Sequence, residues 1–235
     1  MRWTVVTGGS KRLGAEICRS LAAEGNSILV HYHNSRREAE EVASECRMLG
    51  ADAETVKGDF SSTEATLSFA DECLKQFPQI KTLVNNVGNY LIKPAGETTP
   101  EEWNGLFQTN LHAPFTLIHS FLPSLKACKG SVVNIGVVNA NNIHAEIKRT
   151  AYMATKMSML MLTKSLAKEL SPAGVRVNMV SPGYLDNAID LDGAYLPMHR
   201  PACLAEVCSV ISFLLKADNC YITGQNIEVG GGVGL

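Results

Sequence analysis

The chain has 235 residues, of which 46% are hydrophobic, 19% charged and 6% aromatic, enough for a globular protein to bury its own core. Twenty-one basic against 23 acidic side chains leave a net charge of −2, which excludes a strongly basic nucleic-acid footprint. No apolar run approaches the roughly 18 residues of a membrane helix, and seven scattered cysteines without a C-x-x-C pair speak against metal and disulfide frameworks.

Met1 and Arg2 run straight into Trp3-Thr4-Val5-Val6, so no leader is expected, and reduced thiols fit a cytoplasmic protein. Apolar, β-branched segments at 3–7, 27–32, 53–56, 82–87, 130–135, 175–180 and 226–229 read as strands. Their near-continuous hydrophobicity suits a parallel sheet covered on both faces. Between them, residues 14–25, 35–49, 62–77, 99–126, 151–171 and 204–216 carry helical spacing. Strand–helix alternation from end to end predicts one α/β domain over 1–235, a Rossmann-type doubly wound parallel sheet with helices on both faces. The least regular stretch, 184–203, reads as a flap over a site.

The first strand runs into Thr7-Gly8-Gly9-Ser10-Lys11-Arg12-Leu13-Gly14 and then helix. Glycines permit a tight turn with close backbone approach, and a helix N-terminus offers N–H groups and positive dipole to a pyrophosphate. The second strand ends Val30-His31-Tyr32-His33-Asn34-Ser35-Arg36-Arg37, with no acid before Glu38. A carboxylate there would grip the ribose hydroxyls of NAD, whereas basic and hydrogen-bonding groups, with Arg12 on the neighbouring loop, suit a 2′-phosphate. The cofactor expected is therefore NADP(H).

Tyr152 and Lys156 stand one helical turn apart. A phenol of pKa about 10 must fall by about three units, or about 4 kcal/mol, to exchange protons near neutrality. A lysine cation at about 4 Å supplies roughly 1 kcal/mol in water and roughly 4 at an effective dielectric of about 20, so the pair works in a partly dry cleft.

At this point the chain resembles the short-chain dehydrogenase/reductase family over essentially its whole length. The pieces occur in family order: Thr7-Gly8 to Gly14, Asp59-Phe60, Asn85-Asn86-Val87-Gly88, Asn110, Tyr152 to Lys156, and Ser181-Pro182-Gly183. The resemblance implies a cytoplasmic homo-oligomeric oxidoreductase, a dimer or tetramer, acting on a small molecule rather than on nucleic acid or membrane. It implies cofactor contacts from Gly8, Ser10, Arg12, Leu13, Gly14, His31, His33, Asn34, Ser35, Asp59, Phe60, Asn86, Val87, Gly88, Lys156, Pro182 and Gly183. Tyr152 is then the proton donor, Lys156 its supporting cation and Asn110 the holder of a relay water. Arg12 stands where most of the family has a glycine and, with His31–Ser35 and Gly58–Ser61, is similar to the pteridine reductase and dihydromonapterin reductase branch. Asn85 to Tyr90 are closer to 3-oxoacyl-carrier-protein reductases, the alternative. The family's catalytic serine is missing, and alignment places Val137 or Asn139 there. Asn139 is taken as the candidate, with Asn141, Asn142 and His144 as further loop donors. Asn187 follows Pro-Gly where many relatives have threonine. A non-catalytic NADP-binding sensor is the third reading, and the retained Asn110, Tyr152 and Lys156 oppose it.

Overall fold

The computed structural model describes every residue except 187, 189, 190, 192, 193 and 234, so the expectation about Asn187 lies outside the described residues. Seven strands, β1 (Trp3–Val6), β2 (Ser27–Tyr32), β3 (Ala53–Lys57), β4 (Ile80–Asn85), β5 (Ser131–Ile135), β6 (Arg176–Pro182) and β7 (Asn226–Val229), form one sheet in the order β3-β2-β1-β4-β5-β6-β7. Every pairing is parallel. The expected single-domain Rossmann-type sheet is what the chain builds.

The strand period of two divides the core into two layers. Val6, Val30 and Val84 face α1 (Arg12–Ala23), α2 (Arg36–Met48) and α7 (Leu204–Leu215). Val5, Leu29 and Leu83 face α3 (Thr63–Gln76), α5 (Ala113–Cys128) and α6 (Thr150–Leu170). Burial on both sides is why these strands carry no polar alternation.

The expected helix at 99–126 is interrupted. A capping box of Thr99 and Glu102 starts α4 (Pro100–Phe107), as the Thr-Pro-Glu-Glu sequence implies. A π-type turn then occupies Gln108–His112 before α5 begins. Pro114 has no N–H to give the carbonyl four residues back, at Asn110, so the ladder cannot continue in α register. The apolar periodicity ran through this break without registering it. The strand expected over 82–87 ends at Asn85, which frees Asn86, Val87 and Gly88 to turn over the sheet edge, while β6 extends to Pro182.

Order reverses between β1 and β4, and the two chains leave the sheet there in opposite directions. Such a switch point opens a crevice at the carboxyl ends of the strands. Thr7 and Asn86 lock its two walls together. Thr7 Oγ1 donates to the Val84 carbonyl and accepts from the amides of Asn86 (2.9 Å) and Val87 (3.1 Å). Asn86 Nδ2 donates to the carbonyl of Thr7 at 2.9 Å. A Cβ on Gly14 would lie 2.0 Å from the Gly8 carbonyl oxygen, so only glycine lets α1 begin this close to the strand.

Candidate functional site

A cavity of about 510 Å³ opens over this switch point. One end is walled by Gly8, Arg12, Leu13, Gly14, Asn86 and Val87. The other end is walled by Gly88, Tyr90, Asn139, Arg149, Tyr152 and Tyr184, and Pro182 and Gly183 form part of the floor. The glycine turn, the segment after β4, the catalytic candidates and the Pro-Gly turn thus meet in one cleft.

The glycine turn is held from beneath by His31, which is buried with 2% of its surface exposed. Gly8 N–H donates to His31 Nδ1 at 2.9 Å, which fixes Nδ1 as the bare nitrogen and leaves Nε2–H for the Gly58 carbonyl at 3.3 Å. Phe60 stacks on the imidazole at 4.4 Å between centroids, and Phe69 meets it edge-on. The side chains of His31 and Phe60, expected among the cofactor contacts, are buried beneath the turn and support it. The amides of Gly8 and Gly9 are also spent, on Nδ1 and the carbonyl of His31. The amides left to meet a phosphate are those of the first turn of α1.

Arg12 starts that turn at φ +48°. A side chain in the left-handed region costs about 1–2 kcal/mol, so the turn carries strain that glycine would not. Neighbouring Lys11 pairs with Glu38 at 2.8 Å. Ser10, His33, Asn34, Ser35 and Asp59 lie outside the cavity wall; His33, Asn34 and Ser35 follow β2, and Asp59 lies just beyond β3. Asp59 accepts from the Ser61 hydroxyl (2.7 Å) and amide (2.9 Å), which hold its carboxyl below the usual range, and His33 lies 3.8 Å away.

Tyr152 and Lys156 lie on the inner face of α6. Lys156 Nζ sits 5.6 Å from the Tyr152 ring centre and donates to the Ile135 carbonyl at 2.8 Å. Burial pushes its pKa down to about 8, so it keeps its charge at neutrality. A Cβ on Gly88 would lie in ordinary contact with Nζ, at 3.5 Å, so Gly88 and the ammonium are neighbours. Tyr90 meets Tyr152 edge to face at 4.6 Å.

Asn110 is buried on the π-type turn, and both of its amide hydrogens are used. They go to the Asn89 carbonyl (2.9 Å) and Thr155 Oγ1 (3.1 Å), while Oδ1 accepts from the Asn89 amide (2.7 Å). The Asn110 side chain thus clamps the loop carrying Tyr90. Its backbone carbonyl has no α-register partner, because residue 114 is proline. Asn85 lies under the site: its Nδ2 donates to Asn134 Oδ1 (2.8 Å) and Asn134 Nδ2 to Thr163 Oγ1 (2.9 Å), tying β4 and β5 to α6. At the missing serine, both Val137 and Asn139 line the cavity. Asn139, at φ +69°, is pinned through its amide to Glu228 Oε1 at 3.0 Å. His144 joins them in the wall, whereas Asn141 and Asn142 do not.

A family model for short chain dehydrogenases matches residues 2–192. The chain is 30% identical to the 3-oxoacyl-[acyl-carrier-protein] reductase FabG of Staphylococcus aureus, covering 97% of this chain and 96% of that one. Among solved structures, a blue fluorescent protein from a metagenomic library in complex with NADPH superposes with a TM-score of 0.92 at 29% identity, covering 100% and 98% of the two chains. The acetoin dehydrogenase YohF of Salmonella typhimurium gives 0.89 at 26% identity, covering 98% and 95%.

His31 yields a stability test. Burial pushes its pKa down to about 4 from the ordinary 6.5. The unfolded chain then binds the proton first, so stability falls as pH drops from about 6.5 to 4. At 1.36 kcal/mol per unit the loss reaches roughly 3 kcal/mol. His31→Asn keeps an acceptor near the Gly8 amide and does not titrate, so its denaturation midpoint is expected to fall less steeply over that range. Parallel slopes for the two proteins would show that His31 is not the titrating group.

Proposed function

The chain belongs to the short-chain dehydrogenase family, and we propose that it is an NADPH-dependent reductase of a small carbonyl compound. The observation that carries this reading is that Tyr152 shares one cavity wall with the glycine turn, with the Lys156 Nζ 5.6 Å from its ring.

The cleft fits a nicotinamide dinucleotide on its own geometry. Gly8, Gly14 and Leu13 stand in its wall at the start of α1, with Lys11 and Arg12 beside them, where a helix N-terminus meets phosphates. NADPH, when bound, supplies the hydride. Arg12, held in a strained turn, grips a 2′-phosphate that a carboxylate in its place would repel. Tyr152 gives its proton to the oxygen of the substrate carbonyl, and the Lys156 cation stabilises the phenolate left behind. The Asn110 carbonyl offers a foothold for the water that reprotonates it. We read Tyr184, Leu185 and Ala188, which stand in the cavity wall, as the described part of a substrate flap.

A pterin substrate is the second reading, favoured by the Tyr90 and Tyr184 rings in that wall. FabG, the relative named above, is a reductase of 3-oxoacyl carrier-protein thioesters by its name, so a thioester belongs in the panel. The assembly we read is a dimer or tetramer that covers Phe115 of α5 and Met161 of α6, which are 50% and 69% exposed. Seven free thiols accord with a cytoplasmic setting.

Three outcomes check these statements. NADPH is expected to bind at least tenfold more tightly than NADH, and Arg12→Gly, which suits φ +48° and so folds no less stably, is expected to remove that preference; equal dissociation constants in the wild type would refute the 2′-phosphate role. Tyr152→Phe is expected to bind NADPH normally and lose about 10²–10⁴-fold in turnover, while Lys156→Ala loses both rate and cofactor affinity and shifts the pH optimum upward. Turnover is followed at 340 nm with ketones, dihydropterins and an acetoacetyl thioester side by side, and undiminished turnover in Tyr152→Phe, or a dihydropterin leading by tenfold, overturns the assignment. Light scattering at micromolar concentration is expected to give a dimer or larger, and a monodisperse monomer rules the assembly out.

A further inference from the structure

The chain leaves β5 along a path that three strand ends share. Gly136 and Val138 donate to the carbonyls of Val180 (2.8 Å) and Pro182 (3.1 Å), so the loop runs on beside β6. Gly183 in turn donates to the Val229 carbonyl of β7 at 3.0 Å. A Cβ on Gly230 would lie 2.5 Å from Val138 Cγ1, so the ends of β5, β6 and β7 meet without room to spare. Val138 and Ala140 are buried, whereas Val137 and Asn139 alternate with them, half-buried in the cavity wall.

Asn139 holds φ +69°, left-handed backbone that glycine adopts freely and asparagine tolerates better than most side chains. One carboxylate pins that conformation. Glu228, opposite Ser181 in the β6–β7 register, accepts at Oε1 from the Asn139 amide (3.0 Å) and from Asn141 Nδ2 (3.1 Å). Hydrogen bonds to an ionised acceptor are roughly twice as strong as neutral ones. Glu228 itself is exposed and lies outside the wall of the cleft. Glycine at 139 would make the same turn without strain. An asparagine there instead puts two amide N–H donors and a carbonyl acceptor in the wall that Tyr152 shares. Non-glycine residues held in this region by their surroundings are a recurring mark of working sites.

We propose that Glu228 is a positioning residue for carbonyl reduction that acts through Asn139: it holds the left-handed backbone that presents the Asn139 side-chain amide to the substrate's carbonyl oxygen. This rests on the carbonyl-reductase reading above. In the reaction a C–H bond forms at the carbonyl carbon with hydride from NADPH, and an O–H bond forms with the proton of Tyr152. The carbonyl is reduced to the alcohol and the nicotinamide is oxidised. Between the two bonds negative charge gathers on the oxygen, and an amide N–H already aimed there stabilises it. Removing one such donor typically costs about 10²–10³-fold in kcat. Glu228 stands back from the reacting atoms. Without its carboxylate the Asn139 backbone relaxes toward ordinary conformations, and the side-chain amide swings off the oxygen.

The test is a double-mutant cycle on Asn139→Gly and Glu228→Ala, with NADPH affinity and the denaturation midpoint measured for each protein. Glycine suits φ +69° and Glu228 is exposed, so both variants are expected to fold and to bind NADPH as the wild type does. With the carbonyl compound that the wild type reduces fastest, Asn139→Gly is expected to lose about 10²-fold, mainly in kcat, and Glu228→Ala about tenfold. Glu228→Gln keeps a neutral acceptor and is expected to lose less than Glu228→Ala. The double variant is expected to be no slower than Asn139→Gly alone, because both substitutions remove one interaction. A second arm titrates isobutyramide, an unreactive carbonyl, into the NADPH-loaded proteins by calorimetry. Affinity that falls in the same pattern supports the pair even where no carbonyl compound is turned over, and in that case it is the reductase reading that falls. Losses that add in the double variant, single substitutions that leave both turnover and isobutyramide affinity untouched, or a wild type that neither turns over a carbonyl nor binds isobutyramide, overturn the proposal.

Discussion

The whole cleft hangs on the junction between β1 and β4, where Thr7 and Asn86 tie together two segments nearly eighty residues apart in sequence. A single hydroxyl accepts two amides and donates to a carbonyl, and a single side-chain amide reaches back to the Thr7 carbonyl. Each such bond contributes about 1 kcal/mol net, but an unmade one leaves a buried polar group at about 1–3 kcal/mol. The junction therefore has one geometry or none. Gly14 adds the steric half of the same constraint, because its missing Cβ sets how close α1 begins to the sheet.

The proton-transfer end depends on the same logic carried by different groups. Asn85, Asn134 and Thr163 hand a hydrogen-bond chain from β4 through β5 to α6, and this fixes the helix that bears Tyr152 and Lys156. Asn110 reaches the same helix at Thr155 and grips the Asn89 backbone on its other side. The π-type turn that makes this possible exists because Pro114 interrupts the helical ladder, and such turns recur at functional sites. The floor, the helix and the Tyr90 loop are consequently coupled through buried amides rather than through apolar packing alone.

Among the described residues other than glycine, four adopt left-handed backbone, Arg12, Lys129, Asn139 and His199, and two of them stand at the cleft. Arg12 and Asn139 both adopt left-handed backbone without being glycine, and both line the cavity. The surrounding structure over-determines each: the Gly14 contact and the start of α1 hold Arg12, and Glu228 on β7 holds Asn139. Strain held in this way is a mark of sites rather than of scaffold.

The order of elements, the parallel sheet and the cluster of Gly8, Arg12, Gly14, Tyr152 and Lys156 were legible in the sequence. Strand hydrophobicity and helical spacing are local signals, and each of these residues is chemically distinctive at its spacing. Three things were not legible. The break at 108–112 left the apolar period unchanged, so only the missing N–H of Pro114 hinted at it. The burial of His31 and Phe60 depended on Gly58 and Phe69 arriving from β3 and α3, and a polar residue at a strand end reads the same whether it faces a ligand or a neighbour's backbone. The lock between Thr7 and Asn86 joins residues 79 apart, so no local spacing announces it. Sequence determined which chemistry the chain carries, since that is written in residue type and local spacing. Tertiary structure decided which of those groups face the cleft and which hold it up, since that depends on long-range partners that no local pattern encodes.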